Sequence, residues 1–197
     1  MITSAIERLR AQAGIPVDPE TRGPVPLNRI YEQQNLSHVA LPGLTIEAVE
    51  EYLRAQRIPT EHLGDPETKL AGFVFLAGRI GHVFVNADDP LPRRRFTAAH
   101  ELGHVVLHRE RLQRFTADTT VGESHEAADA LEREADQFAA ELLMPEAIVR
   151  ARAAELQTRF GVCPQSVLAY RLAAELLVSQ QAIHYRLHTL RVGHDGT

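Results

Sequence analysis

Two histidines and a glutamate within five residues constrain this chain more than any other feature. Residues 96–104 read Phe-Thr-Ala-Ala-His-Glu-Leu-Gly-His, so His100 and His104 are four positions apart and Glu101 follows the first of them. On an α-helix, this spacing places both imidazoles on one face, one turn apart. Two such imidazoles can bind one zinc ion, while the adjacent carboxylate deprotonates a water without binding the metal. The pattern predicts a metal centre with His100 and His104 as ligands and Glu101 as the catalytic base.

The surrounding residues favour a buried helix. Thr97 is a suitable N-cap, no proline follows as far as His108, and apolar residues recur at helical spacing at Ala99, Leu102, Val106 and Leu107. Gly103 costs roughly 1 kcal/mol of helix propensity relative to alanine, which indicates close approach by another backbone. Upstream, the apolar segments 70–76 and 80–86 predict a β-hairpin. We therefore expect an α+β fold, mostly helical, with a small sheet before the metal-binding helix.

The same segment does not supply a third ligand. A metzincin needs glycine three residues after the second histidine and histidine six after it, but Leu107 and Glu110 stand there. His108 continues the four-residue series, yet eight residues of helix advance about 12 Å along the axis. Zinc–nitrogen bonds are only about 2.1 Å long, so His108 cannot share an ion with both other histidines. We expect His108 to be a structural residue.

A downstream segment offers better candidates. Residues 131–144 form a predicted helix that Pro145 ends. Glu132 and Asp136 are one turn apart on a face with small alanines, which would allow close packing against the first helix. We predict that Glu132 binds the metal and that Asp136 accepts a hydrogen bond from the outer nitrogen of a ligand histidine. Glu134, about 200° around the helix from Glu132, is the alternative third ligand.

Three ordered motifs carry a family resemblance. Residues 95–104 with Leu107 and His108, residues 132–145 and residues 177–187 resemble signatures of the ImmA/IrrE family of metallopeptidases. The resemblance covers residues 66–190. It implies a gluzincin-like zinc endopeptidase, although another divalent metal is possible, that cuts a DNA-binding transcriptional repressor and so relieves repression.

The order of these motifs suggests two parts of the chain. We assign residues 1–65 to an N-terminal helical segment with a proline-rich linker, and residues 66–197 to the metallopeptidase domain with its C-terminal helices. Between the metal motifs, residues 111–130 are polar and show no regular apolar spacing, which predicts a loop. His125 in this loop could reach the metal site. Other helices are expected near 2–13, 27–34, 45–57, 145–159, 164–176 and 179–190.

Composition restricts the partners and the compartment. The net charge of −5 argues against a nonspecific nucleic-acid binder, so we expect no direct nucleic-acid contact; a protein substrate is what the family resemblance implies. The single cysteine, Cys163, excludes an intrachain disulfide, and we expect it to be structural. No apolar run approaches the roughly 20 residues that span a bilayer, and the first residues lack a signal segment. The expected location is the cytoplasm, without membrane contact.

Two other functions stay open. The chain could be a latent or non-proteolytic binding partner of a repressor. It could also be a DNA-binding regulator, because residues 168–190 resemble a helix-turn-helix with cations at Arg171, Arg186 and Arg191. Candidates to stabilise an oxyanion are Tyr170, His184 and Tyr185.

Overall fold

Eight helices and three strands make up the parts of the chain that the structure, a computed structural model, describes. These parts are residues 1–115, 125–161 and 164–192, with side chains described for all except 111–115 and 125–128. In chain order the elements are α1 (Ile2–Gln12), α2 (Leu27–Gln33), β1 (Leu36–Leu41), α3 (Ile46–Ala55), β2 (Gly72–Ala77), β3 (Ile80–Asn86), α4 (Leu91–Phe115), α5 (His125–Leu143), α6 (Glu146–Phe160), α7 (Gln165–Leu176) and α8 (Gln180–Thr189). The predicted class, a mostly helical α+β fold, is confirmed.

The sheet is mixed and has the order β1-β3-β2. The predicted hairpin is present, because β2 pairs antiparallel with β3 across the turn at Gly78. Strand β1 was not predicted; it pairs parallel with β3 from Leu36 opposite Gly81 to Leu41 opposite Asn86. Strand β3 is therefore central and β2 is an edge strand.

Alternation along the strands separates two apolar clusters, because successive side chains point to opposite faces of a sheet. On β3, Val83 and Val85 belong to the main core, which they share with α4, α5 and the C-terminal helices. Phe84 points the other way, into a smaller cluster with Val49 and Leu53 of α3. Helix α4 covers one face of the sheet and α3 covers the other. The helix that carries His100 and His104 therefore packs on a buried sheet.

The boundaries of α4 and α5 differ from the prediction. Helix α4 begins at Leu91, so Thr97 lies inside the helix and is not its N-cap. Both helices also extend into the segment predicted as a loop, since α4 reaches Phe115 and α5 begins at His125. The rest of that segment, residues 116–124, lies outside the described residues.

The proline-rich segment between α1 and α2 is fixed to the helices around it. Its residues Ile15 and Val25 are buried in the main core. Its carbonyl oxygens accept hydrogen bonds from arginines of three helices: Arg10 donates to Pro16, Arg95 to Val25, and Arg152 to Pro19 and Thr21. The division of the chain at residue 65 stays a prediction. No helix within the described ranges is both long and apolar enough to cross a membrane.

Candidate metal centre

Three potential ligand atoms converge where α4 packs against α5. On α4, Nε2 of His100 lies 3.0 Å from Nε2 of His104, as the four-residue spacing predicts. On α5, the carboxylate of Glu132 spans both rings, with Oε2 3.2 Å from His100 Nε2 and Oε1 3.3 Å from His104 Nε2. These three residues are close enough together to bind one metal ion.

The spacing of these atoms fits a divalent metal. Tetrahedral zinc with bonds of about 2.1 Å would separate its ligand atoms by roughly 3.4 Å, close to the three separations in the structure. Two imidazoles and a carboxylate are also a ligand set found in catalytic zinc sites. Neither imidazole nitrogen nor carboxylate oxygen is a good hydrogen-bond donor in its metal-binding form, so a shared cation is the natural partner for all three.

Asp136 fixes the tautomer of one histidine. Its Oδ1 lies 2.8 Å from Nδ1 of His100, one helical turn beyond Glu132. Because a carboxylate only accepts hydrogen bonds, Nδ1 carries the proton and Nε2 keeps its lone pair toward His104 and Glu132. The geometry that the sequence predicted for Asp136 is therefore present, and it is the arrangement that orients metal-binding histidines.

Small residues at the contact between the two helices bring these groups together. A β-carbon at Gly103 would lie 3.2 Å from the Cα of Ala135 and 3.0 Å from Cδ1 of Phe138. Both neighbours are completely buried, and so is Ala139 one turn further on. The close backbone approach expected at Gly103 is thus confirmed, and it lets a carboxylate side chain from α5 reach the imidazoles.

Glu101 lies beside the three ligand atoms and is not one of them. Its carboxylate occupies space that a side chain on β2 would otherwise fill, because a β-carbon at Gly72 would lie 2.5 Å from Glu101 Oε1. Burial raises the pKa of Glu101 to about 7; nearby His100 lowers it and Glu132 raises it further. The pKa of His104 is lowered, chiefly by burial and then by the neighbouring His100.

The alternative ligands, His108 and Glu134, lie near each other and outside the convergent group. His108 lies at a kink of α4, with φ −129° and ψ 20°, and its ring is 5.8 Å from that of His104. Its Nε2 is 3.5 Å from Glu134 Oε2, without hydrogen-bond geometry. Glu134 is not in the convergent group, so Glu132 is the α5 glutamate that reaches both imidazoles.

The remaining candidates lie elsewhere or outside the described residues. Tyr170 lines a groove between α6 and α7, and Tyr185 is exposed on α8. Arg186 is buried and donates to the carbonyl of Met144, so this cation of the helix-turn-helix hypothesis does not face solvent. The side chain of His125 and all of Cys163 lie outside the described residues.

Two residues near the centre were not singled out by the sequence. Gly72 leaves the space for Glu101, and a glycine opening an apolar strand was an available signal for such close approach. Tyr31 is buried, and its hydroxyl donates to the carbonyl of Ala98 on α4 at 2.6 Å. Burial, and then the charge of Glu101, raise the pKa of Tyr31. Nothing in the sequence around Tyr31 indicated this contact.

The arrangement of imidazoles, carboxylate ligand and adjacent glutamate is typical of metallopeptidases. Residues 55–190 match the family model Peptidase_M78, described as the IrrE N-terminal-like domain. Since this match covers more than half of the chain, the protein belongs to that family of metallopeptidases. A comparison with the curated proteins found no match.

Proposed function

We propose that the protein is a zinc-dependent endopeptidase that cuts a specific protein substrate, a DNA-binding transcriptional repressor, in the cytoplasm. One observation carries the catalytic part of this proposal. His100, His104 and Glu132 present three ligand atoms at separations suited to one ion, with Glu101 beside them. Family membership supports peptidase activity, and the resemblance of the three motifs supports the choice of substrate.

His100, His104 and Glu132 would hold the zinc ion, with Asp136 fixing the orientation of the first ring. When bound, zinc supplies Lewis acidity, which makes water nucleophilic near neutral pH and polarises the scissile carbonyl. Glu101 takes the proton from the attacking water and delivers it to the leaving amine. This carboxylate is buried against Gly72 of β2, which restricts the positions that it can take beside His100 and Glu132.

The free edge of strand β2 is a suitable place for an extended substrate peptide to bind. Within the described residues, its second edge has no partner strand. The strand begins at Gly72 against Glu101, and the turn after it is tied to α4 by Arg109, which donates to the carbonyl of Gly78 at 3.2 Å. A peptide in extended conformation that pairs with this edge would run along α4 past the catalytic base.

The charge beside the centre suits a basic segment of the substrate. The side chains of Glu134 and Asp136 on α5 are 53% and 61% exposed, and both residues lie within about one helical turn of Glu132. Acidic groups at the edge of a cleft favour Lys- and Arg-bearing chains and discriminate against acidic ones. DNA-binding proteins are rich in such segments, which agrees with a repressor as substrate.

The test combines the zinc-loaded protein with the repressor encoded nearest to its gene and looks for defined fragments by mass spectrometry. Glu101→Gln keeps the shape of the side chain and removes the base, so we expect retained zinc and a loss of cleavage of at least about 100-fold. Full activity of this variant would refute the assignment of the base. Stable binding of uncut repressor by native protein would instead favour a non-proteolytic regulatory partner.

A further inference from the structure

An open groove of about 490 Å³ lies between α6, α7 and the proline-rich segment. Its wall carries large apolar side chains in contact with solvent: Val167 is 42% exposed and Tyr170 is 63% exposed. Phe160, 50% exposed at the end of α6, adjoins the groove, because Arg171 in the groove wall lies over its ring. Neighbouring exposed apolar residues of this kind are typical of interaction surfaces.

The carboxylates of the groove are already neutralised. Glu155 and Glu175 each pair with two arginines: Arg152 approaches them at 2.9 Å and 3.0 Å, and Arg22 at 2.9 Å and 3.8 Å. Two positive and two negative charges therefore cancel within this network. The buried Arg152 also ties the proline-rich segment to α6, so the groove is a fixed part of the fold.

Two further guanidinium groups have no such partner. Arg159 and Arg171 lie over the ring of Phe160, 5.3 Å and 5.0 Å from its centroid. Neither makes an ion pair with a described residue. The local charge is thus positive although the whole chain carries −5. A ligand that fits this surface brings negative charge together with an apolar side chain.

We propose that this groove binds a short acidic segment of a protein partner, which places an aromatic or aliphatic side chain against Val167 and Tyr170 and carboxylates on Arg159 and Arg171. Exposed tyrosine and arginine side chains at the centre of a patch are the residues that contribute most to such interfaces. A nucleic-acid strand fits less well, because it carries a charge on every phosphate, whereas this surface offers two guanidinium groups outside ion pairs with described residues on a chain of net charge −5. This binding is separate from the metal centre and does not depend on peptidase activity.

The test uses the full chain, freed of metal with a chelator, to select from a displayed library of random peptides about twelve residues long. Selection is followed by counter-selection on Arg171→Glu. We expect the enriched peptides to combine Asp or Glu with a large apolar residue. For a synthetic copy of one such peptide, fluorescence anisotropy should show binding that weakens about tenfold or more in Arg171→Glu and in Tyr170→Ala.

Matched controls separate the groove from a general surface effect. Tyr185 is exposed on α8 as Tyr170 is on α7, and Arg54 is an exposed cation on α3. Tyr185→Ala and Arg54→Glu should bind the peptide as the native chain does. Enrichment of basic peptides, or equal binding by Arg171→Glu and Arg54→Glu, would overturn the proposal. So would tighter binding of a thymidine oligonucleotide at the groove, or self-association that Arg171→Glu abolishes.

Discussion

The imidazoles and the carboxylates of the metal centre occupy different environments. On α4, the side chains of His100 and His104 are only 18% and 13% exposed, whereas on α5 those of Glu132 and Asp136 are 60% and 61% exposed. The histidines are positioned by a helix packed against the sheet and the main core. The carboxylates are positioned by the register of α5, which its contact with Gly103 determines. The histidines of the candidate centre are thus fixed by burial, whereas its carboxylates are exposed to solvent.

Substitution of a buried histidine ligand should have the largest effect on zinc binding. We expect His104→Ala to lower zinc affinity by more than about 100-fold. Loss of a residue that only hydrogen-bonds a ligand costs up to about 100-fold, and loss of a ligand itself should cost more. Isothermal titration calorimetry and metal analysis of the purified protein measure this loss. His108→Ala is the control and should still bind one zinc ion, because its ring pairs with Glu134 outside the ligand group. Zinc bound by His104→Ala with native affinity would contradict the ligand assignment.

At the exposed carboxylate of Asp136, a substitution that preserves the hydrogen bond to His100 should have little effect on zinc affinity. Asp136→Ala removes the acceptor for His100 Nδ1 and should reduce zinc affinity about 10- to 100-fold. Asp136→Asn keeps an oxygen that accepts the same hydrogen bond, so it should lose much less. Equal losses in the two variants, measured by competition with a chromogenic chelator, would show that charge at this position matters more than orientation.

The contact between α4 and α5 can be tested at Gly103. Alanine there gains roughly 1 kcal/mol of helix propensity. Its β-carbon would lie 3.0–3.2 Å from two fully buried neighbours, and overpacking costs about 1–3 kcal/mol. We expect Gly103→Ala to lower the free energy of unfolding in urea and to weaken zinc binding, because α5 moves away from α4. A variant that is more stable and binds zinc normally would show that the helices adjust without separating.

The smallest effect is expected away from the centre, at His82 on the far side of the sheet. This ring is buried beside Phe84, its Nδ1 has no hydrogen-bond partner, and burial lowers its pKa below 6.5. The unfolded chain therefore binds the proton more readily, and stability falls as the pH drops below 6.5.

We expect His82→Phe to raise the free energy of unfolding by about 1 kcal/mol near neutral pH, because an unpaired buried nitrogen is removed. The loss of stability on acidification should also become smaller, as urea unfolding across this pH range would show. His184→Phe, a change on the exposed face of α8, is the control and should leave the slope unchanged. An unchanged pH dependence in His82→Phe would assign the effect to other groups.

The parts of this centre that the sequence predicted are those that local helix geometry determines. His100 and His104 follow from a four-residue spacing, and the preference for Glu132 over Glu134 followed from the face that it shares with small alanines. Strand β1 was missed because its partner lies far along the chain and its own pattern is short. The role of Gly72 depends on a tertiary contact with Glu101, and the groove beside Tyr170 depends on three segments meeting. No local pattern contains that information.

The most direct test is a crystal structure of the zinc-loaded protein with anomalous data collected at the zinc edge. The ligand assignment predicts one ion bonded to Nε2 of His100, Nε2 of His104 and the carboxylate of Glu132, with no further protein ligand. An ion bound instead by His108 and Glu134, or one enclosed by four protein ligands, would contradict it.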